Sequence, residues 1–158
     1  MNNLLSLDPG ITTGYCLARM NGDTCEIAYN EAQLSPGDLL LTLQDIEPMA
    51  IVYEDFTFRN RRTQRDKVVL FSVQLIGICE AYASMHPECH VAKQQPAQGK
   101  GHYNDDALKR LDLYVRGLTH GRDAARHMLH YMTFKAGWQL FPTGDPKFKL
   151  VPYSTFGA

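Results

Sequence analysis

Four side chains that can bind divalent cations lie at points where the chain is expected to turn. Asp8 ends the apolar run Leu-Ser-Leu, and Glu54 ends the apolar run Ile-Val-Tyr. His120 and Asp123 follow in the segment His-Gly-Arg-Asp. Carboxylates at strand ends can share divalent cations, which activate a water and stabilise the leaving oxygen in phosphodiester cleavage. The four residues therefore indicate a metal site and, as a first hypothesis, a metal-dependent nuclease.

Strands must hold the two carboxylates in place. Residues 3–8 run into Pro-Gly, and residues 13–19 and 24–29 flank an Asn-Gly-Asp hairpin signal, which predicts three antiparallel strands at the start. Residues 49–56 form a continuous apolar run until Glu54, which is typical of a strand buried on both faces. We expect that strand to lie parallel to the first. A further short strand is predicted at residues 90–92.

Helices are predicted between and after these strands. A Ser-Pro pair predicts a helix start, with a helix over residues 36–47, and apolar residues predict a long buried helix over 64–85 that His-Pro ends. Residues 94–102 are polar and contain glycine, which predicts a loop. Two helices are predicted at residues 104–116 and 121–136. The order βββαβαβαα predicts an α/β fold with a mixed, five-stranded sheet flanked by helices.

Length and composition favour one globular domain. The chain has 158 residues and 44% hydrophobic content, enough for one ordinary core, and no long linker divides it. The N-terminus lacks a signal-type segment, and no apolar stretch approaches the roughly 18 residues of a membrane span, so we expect a soluble, cytoplasmic protein. The four cysteines show no Cys-x-x-Cys spacing and are interpreted as reduced, structural thiols.

A basic run follows the second carboxylate. The net charge is −1, which argues against a non-specific nucleic-acid coat, but five cations lie within nine residues, opposed only by Asp66: Arg59, Arg61, Arg62, Arg65 and Lys67. Such a run can bind phosphates beside the site. The alternative is a solvated loop and helix start. The position next to Glu54 favours phosphate binding.

These residues and this order of elements resemble the ribonuclease H-like fold and, within it, the RuvC-type Holliday junction resolvases, particularly small phage-encoded members. The resemblance covers the chain to about residue 137. Asp8, in Asp-Pro-Gly-Ile-Thr-Thr-Gly, resembles the first metal ligand of the family and Glu54 the second. His120 and Asp123, followed by Ala-Ala, resemble the pair that completes the family's site. A different register would make Asp123 the third ligand and place Arg126 where a carboxylate is expected, and the first register is preferred because it loses no ligand.

The resemblance also implies residues that contact DNA. Lys100 lies four residues after Pro96, an interval that matches a family lysine, and it is assigned as a catalytic cation that contacts phosphate or stabilises the transition state. An exposed loop lysine is the alternative. Phe56 and Phe58 resemble the aromatic residue that such enzymes place near the junction centre to stack on an unpaired base, and either could instead belong to the core.

What the resemblance implies is a structure-selective endodeoxyribonuclease that nicks four-way junctions, and other branched DNA, in recombination, repair or phage DNA processing. It would use Mg²⁺ or Mn²⁺, one or two ions per site, and act as a homodimer because two symmetric nicks require two sites. Residues 1–141 would form the nuclease domain, and residues 142–158 a tail packed on it or extending it. Four alternatives remain: a less selective phage debranching nuclease, a YqgF-like RNA-processing nuclease, a non-catalytic nucleic-acid-binding module on the same fold, and an actin-like ATPase, for whose second half the chain lacks room.

Overall fold

The computed structural model describes residues 3–21, 23–55, 66–136 and 147–156, the side chains of 66–69 excepted. Its strands and helices follow in chain order: β1 (Asn3–Asp8), β2 (Thr13–Asn21), β3 (Thr24–Ala32), α1 (Pro36–Ile46), β4 (Ala50–Glu54), α2 (Asp66–Met85), β5 (His90–Gln94), α3 (Pro96–His102), α4 (Asp105–Arg110), α5 (Thr119–Phe134), β6 (Lys147–Leu150) and a 3-10 helix (Tyr153–Phe156). None of the helices in these ranges is long and apolar enough to cross a membrane.

The strands form one mixed sheet in the order β5-β4-β1-β2-β3-β6. β1, β2 and β3 pair antiparallel, whereas β4 pairs parallel to β1 and β5 parallel to β4. The mixed α/β sheet and its antiparallel start are thus confirmed. The expected number of five strands is wrong, because β6 pairs parallel to β3 as a sixth. Phe148 and Leu150 alternate with exposed lysines in β6 and pack against the core, which explains why this tail segment joins the sheet.

Helices cover both faces of the sheet, and each face has its own core. α1 and α2 pack on the face that carries Leu5 and Leu7 of β1, together with Leu39 and Leu75. α5 packs on the opposite face, with Leu4 of β1. Because strand side chains alternate between faces, β1 is buried on both sides, which accounts for leucines at both odd and even positions of the strand.

Two expectations about the helices are wrong. Residues 96–102, predicted as a loop, form α3, which begins at Pro96 and is capped by a hydrogen bond from the backbone N of Gln95 to Oε1 of Gln98 at 2.6 Å. The two glycines in α3 are what made the segment resemble a loop. α4 is shorter than the predicted helix over 104–116, and the chain turns at Asp112, where φ is 55°.

The four cysteines are buried and free, in agreement with their interpretation as structural thiols. Burial raises the pKa of Cys25 and Cys79 to about 12 each, and that of Cys89 to about 11. The thiolate forms are therefore scarce at neutral pH, and we assign no chemistry to these residues.

Candidate active site

Asp8 and Glu54 lie side by side at the ends of two parallel strands. Leu7 of β1 is paired with Tyr53 of β4, so the next residue of each strand emerges at the same edge of the sheet. Ala50 packs on the α5 face and Tyr53 on the opposite face, so alternation turns Glu54 toward α5. The same alternation turns Asp8 toward α5, which therefore faces both carboxylates.

The first turn of α5 lies directly against the sheet because glycines remove the side chains between them. A Cβ on Gly14 of β2 would lie 1.9 Å from the backbone oxygen of His120, and a Cβ on Gly121 would lie 2.9 Å from the backbone oxygen of Asn30. Glu31 of β3 caps the helix from outside, because its Oε2 accepts from the backbone N of His120 at 2.8 Å. This close contact places His120 beside Asp8, with 2.8 Å between Nδ1 and Oδ2.

Asp123 lies one turn further along α5 and is paired through both carboxylate oxygens. The Lys100 Nζ of α3 is 2.9 Å from Oδ2, and Arg126 of α5 donates to Oδ1. Lys100 was predicted as a loop residue, and the structure corrects its location to a helix while placing its ammonium group at the site. Lys100 therefore lies beside the carboxylates that the sequence assigned to the site.

Arg126 is a residue of the site that the sequence did not assign. Its side chain is buried, and besides Asp123 it pairs with Asp105 and donates from Nε to the backbone oxygen of Tyr103 at 2.8 Å. Asp105 lies in the first turn of α4, and from there it also forms the ion pair with Arg126. A charged residue between the alanines and apolar residues of α5 was the only signal that could have pointed to Arg126.

His127 is a second residue that the sequence did not assign. Gln94 Nε2 donates to the backbone oxygen of His127 at 3.1 Å, which turns Gln94 Oε1 toward His127 Nδ1 at 2.8 Å. Nδ1 therefore donates to Gln94, and Nε2 faces Glu54 Oε2 at 2.9 Å. The imidazole fixes the orientation of the Glu54 carboxylate. Its position four residues after Asp123, on the same side of α5, was the available signal.

The acidic residues affect one another electrostatically. Burial raises the pKa of Asp8, the nearby charges of Glu54 and Asp123 raise it further, and the hydrogen bond from His120 opposes the shift. The hydrogen bond to Asp123 raises the pKa of Lys100, and the charges of Glu54 and Asp8 add to it. The structure thus brings together all five residues to which the sequence assigned catalytic roles: Asp8, Glu54, Lys100, His120 and Asp123.

The donor set suits a hard divalent cation, but the arrangement is not a closed cage. Carboxylate oxygens are the ligands that Mg²⁺ and Mn²⁺ prefer. Within the described ranges, no three acidic, histidine or cysteine side chains are gathered closely enough to hold one ion. Mg²⁺ is usually bound by one or two carboxylates, with waters and substrate phosphates completing its shell. Asp8 and Glu54, adjacent at the sheet edge, fit that pattern.

The predicted DNA-contacting run lies outside the part of the chain described. Residues 56–65 include six of the assigned DNA-binding residues: Phe56, Phe58, Arg59, Arg61, Arg62 and Arg65. Lys67 lies in the first turn of α2, where only the backbone is described. Of the assigned DNA-binding residues, Lys100 is the one whose side chain the structure describes.

Comparisons with known proteins identify the fold. No family model matches the sequence, and no curated protein matches it. The structure is similar to that of Thermus thermophilus RuvC in complex with a Holliday junction substrate, with a TM-score of 0.63, 16% identity, and coverage of 92% of this chain and 99% of that chain. It is also similar to Thermus thermophilus RuvC alone, with a TM-score of 0.60, 17% identity, and coverage of 91% of this chain and 99% of that chain. The yeast mitochondrial Holliday junction resolvase is similar with a TM-score of 0.56, 17% identity, and coverage of 90% of this chain and 81% of that chain.

These similarities define an α/β protein with the ribonuclease H-like fold that RuvC has. One of these neighbours is described as bound to a Holliday junction substrate, and another is described as a Holliday junction resolvase. At 16–17% identity the likeness extends to the fold and not to the roles of individual residues.

Proposed function

We propose that the protein is a metal-dependent endodeoxyribonuclease that nicks four-way DNA junctions. The observation that carries the proposal is the meeting of Asp8 and Glu54, at adjacent strand ends, with His120 and Asp123 of α5. This group lies in a fold shared with proteins described as resolvases, one of them bound to a junction. Carboxylates that converge at a partly open sheet edge suit an ion that must also contact a phosphate.

In the proposed mechanism each side chain has a distinct task. Asp8 and Glu54 would hold the divalent cation, which would supply a nucleophilic water and charge stabilisation at the scissile phosphate. His120 is 47% exposed and is oriented by Asp8, so it is placed to take a proton from the attacking water. Lys100 is 55% exposed and carries its positive charge to the same place, where it stabilises negative charge on the phosphate. The product strands would carry 5′-phosphate and 3′-hydroxyl ends.

The first prediction concerns the substrate. A labelled four-way junction should be cut by paired nicks in Mg²⁺ or Mn²⁺ and not in EDTA, and more efficiently than a linear duplex, a fork or a flap of matched length. Gel electrophoresis of the labelled strands measures this directly. Equal cutting of all branched DNA would indicate a broader debranching nuclease, and preference for an RNA duplex a YqgF-like enzyme. Tight binding without cutting in any metal would contradict nuclease activity and favour the non-catalytic module.

The second prediction concerns the proposed dimer. One side of α2 carries apolar or small residues that are exposed in the single chain, at spacings of three or four residues: Leu70, Val73, Gly77, Ala81 and Met85. Residues so spaced form a stripe on one side of a helix, and such a stripe can pack against its copy across a two-fold axis. Two active sites related by that axis could place symmetric nicks in a junction.

Val73→Glu should convert the dimer to a monomer. The substitution introduces a negative charge into the stripe, and a two-fold axis would place that charge near the same charge of the second chain. Val73 is 42% exposed, so the chain itself can accommodate the change. Light scattering should give twice the 17.9 kDa chain mass for the wild type and one chain mass for the variant. Leu41→Glu, at an exposed apolar position of α1, is the matched control and should remain dimeric. A monomeric wild type would contradict the dimer.

A further inference from the structure

The basic residues of the chain occupy most of the carboxylate oxygens at the site. His120 faces Oδ2 of Asp8, and His127 faces Oε2 of Glu54. Both oxygens of Asp123 are occupied, one by Lys100 and one by Arg126. Among the described residues, hydrogen-bond and ion-pair partners are thus assigned to every oxygen of the three carboxylates except Oδ1 of Asp8 and Oε1 of Glu54.

Arg126 is fixed in this arrangement. Its guanidinium group contacts two carboxylates and a backbone oxygen, and its side chain is only 10% exposed. Moving it would leave a buried cation without its partners, which is strongly unfavourable. Arg126 therefore holds Oδ1 of Asp123 permanently, so Asp123 cannot bind an ion through both of its oxygens.

Lys100 occupies the other oxygen of Asp123. Its ammonium lies close enough to Asp8 and Glu54 for both of their charges to raise its pKa, so it remains a cation at neutral pH. Arg122 and Arg126 both pair with Asp105, and Lys100 pairs with Asp123, so three protein cations already lie among the four carboxylates Asp8, Glu54, Asp105 and Asp123. One divalent cation is enough to offset the negative charge that remains, and a second divalent cation would give the site an excess of positive charge.

We propose that each site binds a single divalent cation, held by Asp8 and Glu54, and that the Lys100–Asp123 ion pair occupies the position a second cation would need. The inference rests on the proposed function, because it presumes that the site binds a metal. It assigns Asp123 a role distinct from that of the other carboxylates, since Asp123 holds a protein cation and the other two hold the ion. Asp123 and Arg126 are then positioning residues for Lys100.

The test counts bound ions. Mn²⁺ is titrated into the wild-type protein without DNA, and free Mn²⁺ is measured by electron paramagnetic resonance, with calorimetry as a second reading of the stoichiometry. We expect one ion per chain in the wild type. Lys100→Gln, which vacates Oδ2 of Asp123, should admit a second ion, whereas Lys100→Arg should keep the count at one. Lys100 is exposed, so these variants should fold, and thermal melting checks that they do.

The carboxylate variants give an independent result. Asp123→Asn should still bind one ion with an affinity within about threefold of the wild type, whereas Asp8→Asn should lose the ion. Two ions in the wild type, an unchanged count in Lys100→Gln, or loss of the ion in a folded Asp123→Asn would each overturn the single-ion assignment while leaving a metal-dependent nuclease intact. A wild type that binds no Mn²⁺ would overturn the proposed function as well, so the two failures are distinguishable.

Discussion

Asp8→Asn should reduce cleavage of a four-way junction by about a thousandfold, which corresponds to the loss of roughly 4 kcal/mol of transition-state stabilisation. This carboxylate lies at a strand end, faces α5 and, among the described residues, keeps its Oδ1 without an assigned partner beside Glu54. Asparagine preserves the shape of the side chain but removes the charge that holds the cation. Single-turnover cleavage in Mg²⁺ measures the effect.

The same substitution should leave the fold and junction binding in place. Burial raises the pKa of Asp8 in the folded chain. At a pH above that pKa the carboxylate is ionised, and its ionised form has a higher free energy in the folded chain than in the unfolded chain. Without metal at neutral pH, removing this charge should therefore leave the melting temperature equal or slightly higher. As the pH falls through the raised pKa, the wild-type carboxyl is protonated and this difference from Asp8→Asn should disappear.

Asp45→Asn is the matched control, because Asp45 is exposed on α1 and should affect neither cleavage nor stability. Cleavage by Asp8→Asn within tenfold of the wild-type rate, in a protein that still binds the junction, would show that Asp8 does not hold the catalytic ion. A loss of cleavage accompanied by a loss of folding would instead show that Asp8 is needed for structure.

The sequence predicted the parts of the site that depend on local pattern. β1 and β4 are apolar runs that end in a carboxylate, and the parallel pairing of two such strands is sufficient to bring Asp8 and Glu54 together. His120 and Asp123 were assigned to the site because they resemble the pair that completes the site of RuvC-type enzymes, and their interval of three residues also suits one side of a helix. The strand ends follow from a periodicity that the chain shows directly, whereas the pair on α5 rests on the resemblance.

The parts that the sequence did not predict depend on contacts between distant segments. The role of Arg126 depends on its contact with Asp105, and the role of His127 depends on its contacts with Gln94 and Glu54. The spacing of residues along the chain does not reveal these contacts. α3 was missed because its glycines weaken the helical pattern, although one of them, Gly99, is buried against α5. Sheet pairing is also a long-range property, and β6, which lies in a segment interpreted as a tail, pairs with β3.

Gly14→Ala should be among the most damaging single-methyl changes in the chain. The new Cβ would lie 1.9 Å from the backbone oxygen of His120, 2.1 Å from its carbonyl carbon and 2.7 Å from the backbone N of Gly121. All three are backbone atoms of α5, so no side-chain rotation can relieve the overlap, and the helix start must move by more than about 1 Å to reach an ordinary contact distance. We expect a loss of about 3 kcal/mol in the free energy of unfolding and a melting temperature lower by roughly 10 °C.

The displacement should also affect catalysis, because the helix start that moves is the one carrying His120. A shift of that size at a positioned catalytic group costs about a hundredfold in rate.

Gly37→Ala is the matched control, since a Cβ there meets only the Ser35 hydroxyl oxygen at 3.7 Å, and alanine in α1 should stabilise the chain by about 0.5–1 kcal/mol. The melting temperature and the rate of junction cleavage should therefore both fall for Gly14→Ala. Gly37→Ala should have a higher melting temperature than the wild type and should cut the junction at the wild-type rate. If Gly14→Ala melted like the wild type and cut at the wild-type rate, α5 could not lie as closely on β2 as the structure places it, and the pairing of His120 with Asp8 would have to arise in another way.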